Sequence, residues 1–246
     1  MRYSLTLVLL LLLVPLARGE EEPFVNETFE KFAEGEEPEG WDVVETGNVE
    51  VKVADFEGSK RLYVRMVPNQ VAGMSKQITP VEEGIFTVEY DLYFKSIKGA
   101  GFELLYIMST ATASGDPNTG NFNGVCVAMN IPGVLSYNNG GNWMNGPNLK
   151  EGRWYHFKYV ISMDKNEWEL YLDEKSVDKG IKFRGDIQGK LDLVYVANVW
   201  GAGSPDCELY FDNIRVYPGT EWKWVPVETK DSLPSLWGEI KTSFHL

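Results

Sequence analysis

The sequence predicts an all-β protein folded as one antiparallel β-sandwich or jelly roll, on three observations. Short segments alternate apolar and polar residues with period two. Clusters of Gly, Asn, Asp and Pro separate them at short intervals. No long stretch repeats apolar residues at helical spacing before the last 30 residues. Many short strands with turn punctuation are the pattern of a sandwich.

Residues 49–53 (VEVKV) alternate, as do 62–67. In 86–94 (FTVEYDLYF), Phe86, Val88, Tyr90, Leu92 and Phe94 fall on one face and Thr87, Glu89, Asp91 and Tyr93 on the other, as a half-buried strand requires. Further strands are expected at 102–108, 124–130, 134–137, 154–162, 167–172, 191–199 and 207–216, with Pro218 ending the domain. A sandwich of about 200 residues commonly forms a single core.

Residues 1–19 read as a secretion signal: Arg2, the apolar run from Leu5 to Val14, then the small-x-small Ala17-Arg18-Gly19. The run is shorter than the about 20 apolar residues of a membrane span, so no transmembrane anchor is expected. The expected organisation is signal peptide 1–19, sandwich domain 20–218 and tail 219–246, in a protein that works outside the cell, in the periplasm or on the cell surface. Acidic residues outnumber basic ones 36 to 23, a net charge of −13. That charge opposes nucleic acid and anionic membrane as partners. It also disfavours acidic polysaccharides, unless a local basic patch or a metal compensates.

There are two cysteines, Cys126 and Cys207, both in expected strands. Export permits a disulfide between them; two buried thiols are the alternative. With only His156 and His245 and no C-x-x-C pair, zinc is not expected.

The stretch EGRWYHFKYVISMDKNEWELYLDEKSV (151–177) resembles the "gxWyhv…D…w.lYvDg" hairpin of laminin-G-like, concanavalin A-like jelly-roll domains. ELYFDNIRVY (208–217) is similar to their closing "yiDnirvy" strand, and FVNETFEKFAEGEEPEGW (24–41) resembles their opening "FeeFEg…lPegW". The resemblance implies a jelly roll whose first and last strands lie side by side. It also implies one structural calcium bridging those strands, held by Glu30 or Glu27 and by Asp212. Calcium takes hard oxygen ligands and can pin two chain ends together; a turn or backbone hydrogen bond is the alternative role for Asp212. The fold hosts lectins, glycosidases, lyases and adhesion modules alike, so it does not fix a function.

Sugar binding is the best-supported chemistry. The segment 118–147 is rich in Asn and Gly and holds Tyr137 and Trp143. Sugar C–H faces stack on aromatic rings while hydroxyls need amide and carboxylate partners. Trp200, after Asn198, is a second platform, and Asp116 and the asparagines of 138–145 are hydrogen-bonding candidates. The plainer reading is a hairpin turn at Asn138-Asn139-Gly140-Gly141 with Trp143 capping the core.

Catalysis is less supported. The E-x-D-x-x-E and E-x-D-x-E strands of jelly-roll glycosidases do not occur; Glu167, Glu169, Asp173 and Glu174 come near that spacing. The arginine, Gln-x-His and Tyr-rich strands of alginate-lyase-like folds would need a catalytic histidine. His156 follows Trp154-Tyr155 where the similar hairpins carry a structural one. In the tail, Trp222, Trp224 and Trp237 either pack back on the sandwich or serve docking or sorting; WGEIKTSF resembles the endings of some secreted bacterial proteins. The leading expectation is a secreted non-catalytic carbohydrate-binding or adhesion module. The alternatives are a glycoside hydrolase or polysaccharide lyase, with Glu103, Glu89 and Asp91 the first carboxylates to test, and a structural envelope protein.

Overall fold

The structure is a computed structural model that describes residues 22–112, 123–197 and 206–222. Those residues form strands and turns without a helix, in two antiparallel sheets. Strands are numbered β1 to β15 along the chain. The first sheet runs, edge to edge, β13 (Lys175–Lys182), β12 (Glu167–Leu172), β11 (Trp154–Ser162), β6 (Ile85–Lys98), β15 (Asp206–Pro218), β4 (Ser59–Met66) and β3 (Glu50–Phe56). The second runs β10 (Asn142–Asn148), β9 (Val134–Asn139), β8 (Gly124–Ile131), β7 (Phe102–Met108), β14 (Leu191–Val196), β5 (Ala72–Val81) and β2 (Asp42–Glu45). The short β1 (Val25–Glu27) pairs with β15, Val25 opposite Val216. The opening and closing segments therefore lie side by side, as expected. The signal segment, Asp116, Asn118, Asn198, Trp200, Trp224, Trp237 and the rest of the tail lie outside the described residues.

Alternation builds the core. Along β11 and β12 every second residue is buried, and Phe86, Val88, Tyr90, Leu92 and Phe94 of β6 are all buried, as their spacing predicts. Opposite them the second sheet contributes Phe102, Leu104, Ile107, Val125, Val127, Met129, Leu135, Val194 and Val196 to one continuous core. Asp173 and Glu174 both take positive φ in the two-residue turn between β12 and β13, the backbone that lets a tight hairpin follow the twist of its strands.

Candidate functional site

The outward face of the second sheet departs from the usual rule that a sheet face away from the core is polar. The register of β5, β14, β7 and β8 sets Ser75 opposite Tyr195, Tyr195 opposite Tyr106, and Tyr106 opposite Cys126. Farther along, Asn138 of β9 lies opposite Trp143 of β10. Tyr106, Met108, Cys126 and Tyr195 form an apolar cluster separate from the main core, and the partly buried Trp143 and Leu193 pack against it. A polar row lies beside this one: Glu103 opposite Ala128, Ala128 opposite Ser136, and Ser136 opposite Asn145. Glu103, Ser136 and Asn138 are each 1% exposed, whereas Asn145 is exposed. Burial pushes the Glu103 carboxyl well above the usual carboxylate range, against the lowering effect of its own backbone and of the Arg184 guanidinium. The face thus offers a tryptophan half open to solvent, packed against an apolar cluster, with amides and a buried carboxyl beside it.

The structure separates two residues that the sequence grouped as stacking platforms. Met144, not Trp143, lies opposite Tyr137. Tyr137 therefore points between the sheets, its ring edge-on to Trp168 at 6.4 Å, while Trp143 points outward. The Tyr137 hydroxyl donates to Asp178 at 2.8 Å, and burial and that carboxylate push its pKa up to about 12. Of the other expected ligand residues, Asn198 and Trp200 lie outside the described residues. Tyr106, Tyr195 and Arg184 had no sequence signal as site residues.

The outward face of the first sheet is an ionic ladder. His156 Nδ1 lies 2.8 Å from Asp91 Oδ1, Asn213 Nδ2 donates to Asp91 Oδ2 at 2.7 Å, and Glu89 accepts from the Tyr217 hydroxyl at 2.6 Å and pairs with Lys158 at 3.1 Å. Asp91 and Glu89 therefore share one outward face and Glu103 sits on the other sheet's outward face, so the three carboxylates do not assemble. His156 also receives a structural bond, its backbone N–H donating to Asp173 at 3.0 Å. Trp222 packs against this sheet, edge-on to Tyr217 at 5.1 Å and under the Arg215 guanidinium at 5.1 Å.

Of the carboxylates expected to hold a calcium, Glu30 or Glu27 with Asp212, two are engaged by other partners. Glu27 is buried and accepts from the Phe29 N–H, Lys31 Nζ at 3.1 Å and Trp41 Nε1 at 3.5 Å. Asp212 accepts from Arg61 Nε at 3.3 Å and the Asn213 N–H at 2.7 Å. Glu30 is exposed. Glu27 and Asp212 thus already serve cationic and N–H donors, and among the described residues no three His, Cys, Asp or Glu side chains converge on one position. The disulfide expectation is corrected: Cys126 and Cys207 are free and buried. Cys126 faces outward from the second sheet, while Cys207 faces the inter-sheet core from the first, its thiol donating to the Lys98 carbonyl at 3.3 Å. Packed sheets lie about 10 Å apart, beyond disulfide reach. Burial lifts the Cys126 thiol to about 12 and that of Cys207 to about 11. A reductant should leave the melting temperature unchanged, and a thiol reagent should modify both cysteines only after unfolding; a mass two hydrogens light would contradict this.

No family model matches the chain, and no curated protein resembles it in sequence. Solved structures do resemble it in fold. A sialidase aligns with a TM-score of 0.61 and 16% identity over 80% of this chain, which spans 18% of that larger protein. The Emp47p carbohydrate recognition domain aligns at 0.53 and 12% identity, covering 82% of this chain and 97% of that one. Domain 4 of AbnA, a GH43 extracellular arabinanase from Geobacillus stearothermophilus in complex with arabinotriose, aligns at 0.52 and 14% identity, covering 81% and 94%. At these identities the likeness is one of fold, the antiparallel jelly-roll sandwich.

Proposed function

We propose that the protein is a secreted, non-catalytic carbohydrate-binding or adhesion module that takes a glycan on the outward face of its second sheet. The carrying observation is the row Tyr195, Tyr106, Cys126 ending near the half-open Trp143. A planar ring packed on an apolar cluster is held rigid, and a rigid aromatic face flanked by amides suits the apolar side of a sugar. Asn145 supplies the exposed amide. The names of the similar structures, a carbohydrate recognition domain and a domain holding arabinotriose, support a saccharide ligand. The leader-like first 19 residues support an extracellular site of action. One observation favours a second reading as a glycoside hydrolase or polysaccharide lyase: Glu103 is a buried carboxyl whose burial pushes its pKa upward, toward the acid form a proton donor needs.

The test is a panel of neutral polysaccharides (arabinan, xylan, galactan, β-glucan) presented to the parent and to Trp143→Leu. Leucine keeps the apolar packing against the outward cluster but removes the flat ring. Binding should weaken about tenfold or more, the roughly 1.5–3 kcal/mol of a large apolar side chain leaving a contact, with little change in melting temperature. Equal binding by both proteins excludes this face. Sugar release abolished in Glu103→Gln would replace the binding reading by the enzymatic one, and no binding to any glycan would leave a structural role.

A further inference from the structure

The two sheets meet near their edges, where β9, next to the edge strand β10, approaches the edge strand β13. At one end they are tied: the Gly140 N–H donates to the Lys182 carbonyl at 3.1 Å, and the Lys182 N–H donates to Asn139 Oδ1 at 3.0 Å. The Tyr137 hydroxyl bond to Asp178 is the next link along. Beyond it a cleft of about 570 Å³ lies between Gly146, Pro147 and Asn148 of β10 and Lys175, Ser176 and Val177 of β13. This volume is within the range of small-ligand sites. The buried residues Tyr137, Tyr155 and Leu172 form its floor. The β10–β9 register shifts between Asn145 and Asn148, which takes Gly146 and Pro147 off the ladder. Such a bulge leaves backbone polar groups unpaired in the ladder beside the cleft.

The charge of this cleft opposes that of the chain. Its rim carries Lys150, Arg153 and Lys175 against a single carboxylate, Asp173, in a protein of net charge −13. Asp173 is already occupied: it pairs with Arg153 and accepts the His156 N–H. Arg153 also lies over the Tyr155 ring, 4.2 Å from its centroid, which fixes the guanidinium at the cleft wall. Lys150 donates its backbone N–H to the Tyr155 hydroxyl at 2.6 Å, and that bond anchors the chain from which its ammonium projects. Among the described residues Lys150 and Lys175, like Lys60, Lys76, Lys98 and Lys165, have no ion-pair partner, and of these only Lys150 and Lys175 line the cleft.

We propose that this cleft is a second binding site, one that takes a carboxylate-bearing sugar residue, the uronate of an acidic oligosaccharide. The two lysines meet the carboxylate, Arg153 and the bulged β10 backbone meet the hydroxyls, and Tyr137 with Leu172 meets the apolar face. Net negative charge screens out polyanions everywhere except where this local reversal admits them. The cleft shares Asn145 with the sheet face around Trp143 but is not lined by Trp143 itself.

Calorimetry of the full chain with trigalacturonate and with its fully methyl-esterified form separates charge from shape. The acid should bind and the ester should not, and raising the salt from 50 to 500 mM should weaken the acid by about tenfold, as screening of a partly exposed pair demands. Lys150→Ala/Lys175→Ala should weaken it by a similar factor, with an unchanged melting temperature because both side chains are exposed. Trp143→Leu should leave acid binding intact, whatever it does to neutral glycans. Equal affinity for acid and ester, an unaffected double variant, or loss of acid binding in Trp143→Leu would each overturn the cleft as the uronate site, and the last would move it to the sheet face.

Discussion

Trp168→Ala is expected to destabilise the protein by about 3–5 kcal/mol, the range for deleting a large buried ring. Trp168 is fully buried on β12. Its indole lies edge-on to Tyr159 at 5.6 Å within its own sheet and to Tyr137 at 6.4 Å across the core, so it links the two sheets near their β9–β13 edge. The neighbours cannot collapse into the space it would leave. The Tyr159 hydroxyl is 2.5 Å from that of Tyr90, and Tyr90 stacks on Phe157 at 4.8 Å with nearly parallel planes. Each ring is thus held by another. Among the described residues the Trp168 Nε1–H has no acceptor. Trp168→Phe therefore loses volume but no hydrogen bond, and removes a buried donor whose lack of a partner costs about 1–3 kcal/mol. The phenylalanine variant should show roughly half the loss of the alanine variant or less. Urea midpoints at constant slope measure both; a loss in Trp168→Ala below about 1 kcal/mol would mean the core is not organised around this ring.

The strands that alternate cleanly, such as β6, β11 and β12, were legible because one face is buried and the other is wet. The four that were missed fail that test for separate reasons. In β5, Gly73, Lys76, Gln77 and Pro80 interrupt the apolar period. In β10, NWMNGPN reads as a turn, yet it is an edge strand, where proline is tolerated and a bulge absorbs the Gly-Pro step. In β13, KSVDKGIK is the charged edge that keeps a sheet from pairing further. The short β2 is likewise an edge. Site residues were legible only as types. Trp143 was found from composition, but whether it shared a face with Tyr137 depended on strand parity, and one step of register reverses such an assignment. Tyr106 was hidden in FELLYIM, which is buried on both faces and so shows no alternation. Lys150 and Arg153 flank the turn before β11 and Lys175 opens β13, and the pairing of β11, β12 and β13 gathers them at one end of the first sheet.

Asp91→Ala is expected to lower stability by about 2 kcal/mol near pH 6, since it leaves two partly buried partners on different strands unpaired. Asp91 on β6 holds His156 of β11 and Asn213 of β15, and Asn213 reaches it from a left-handed backbone, φ 50°. Burial raises the Asp91 carboxyl, but the bonds from His156 and Asn213 outweigh it, and its pKa lies below the ordinary value. The Asp91 bond is the main reason the His156 pKa is raised, against burial and with help from the charges of Asp91, Glu89 and Glu174. The two shifts act on opposite limbs of the pH profile. The histidine's contribution is complete below the unfolded pKa of about 6.5 and is lost as pH rises through its higher folded value. The aspartate's contribution is complete above about pH 4 and is lost as pH falls through its lower folded value. Both are present together between about pH 4 and 6.5, so the stability due to this pair is greatest there and falls on either side. In Asp91→Ala the alkaline loss should flatten, and the His156 ring, followed by NMR, should titrate nearer its ordinary pKa, with only Glu89 and Glu174 left to raise it. A titration unmoved by the substitution would mean that those two carboxylates, not Asp91, hold the imidazole. The expected shift would make the dyad a clamp across three central strands, which is work enough to explain the domain's only histidine without assigning it a proton to transfer.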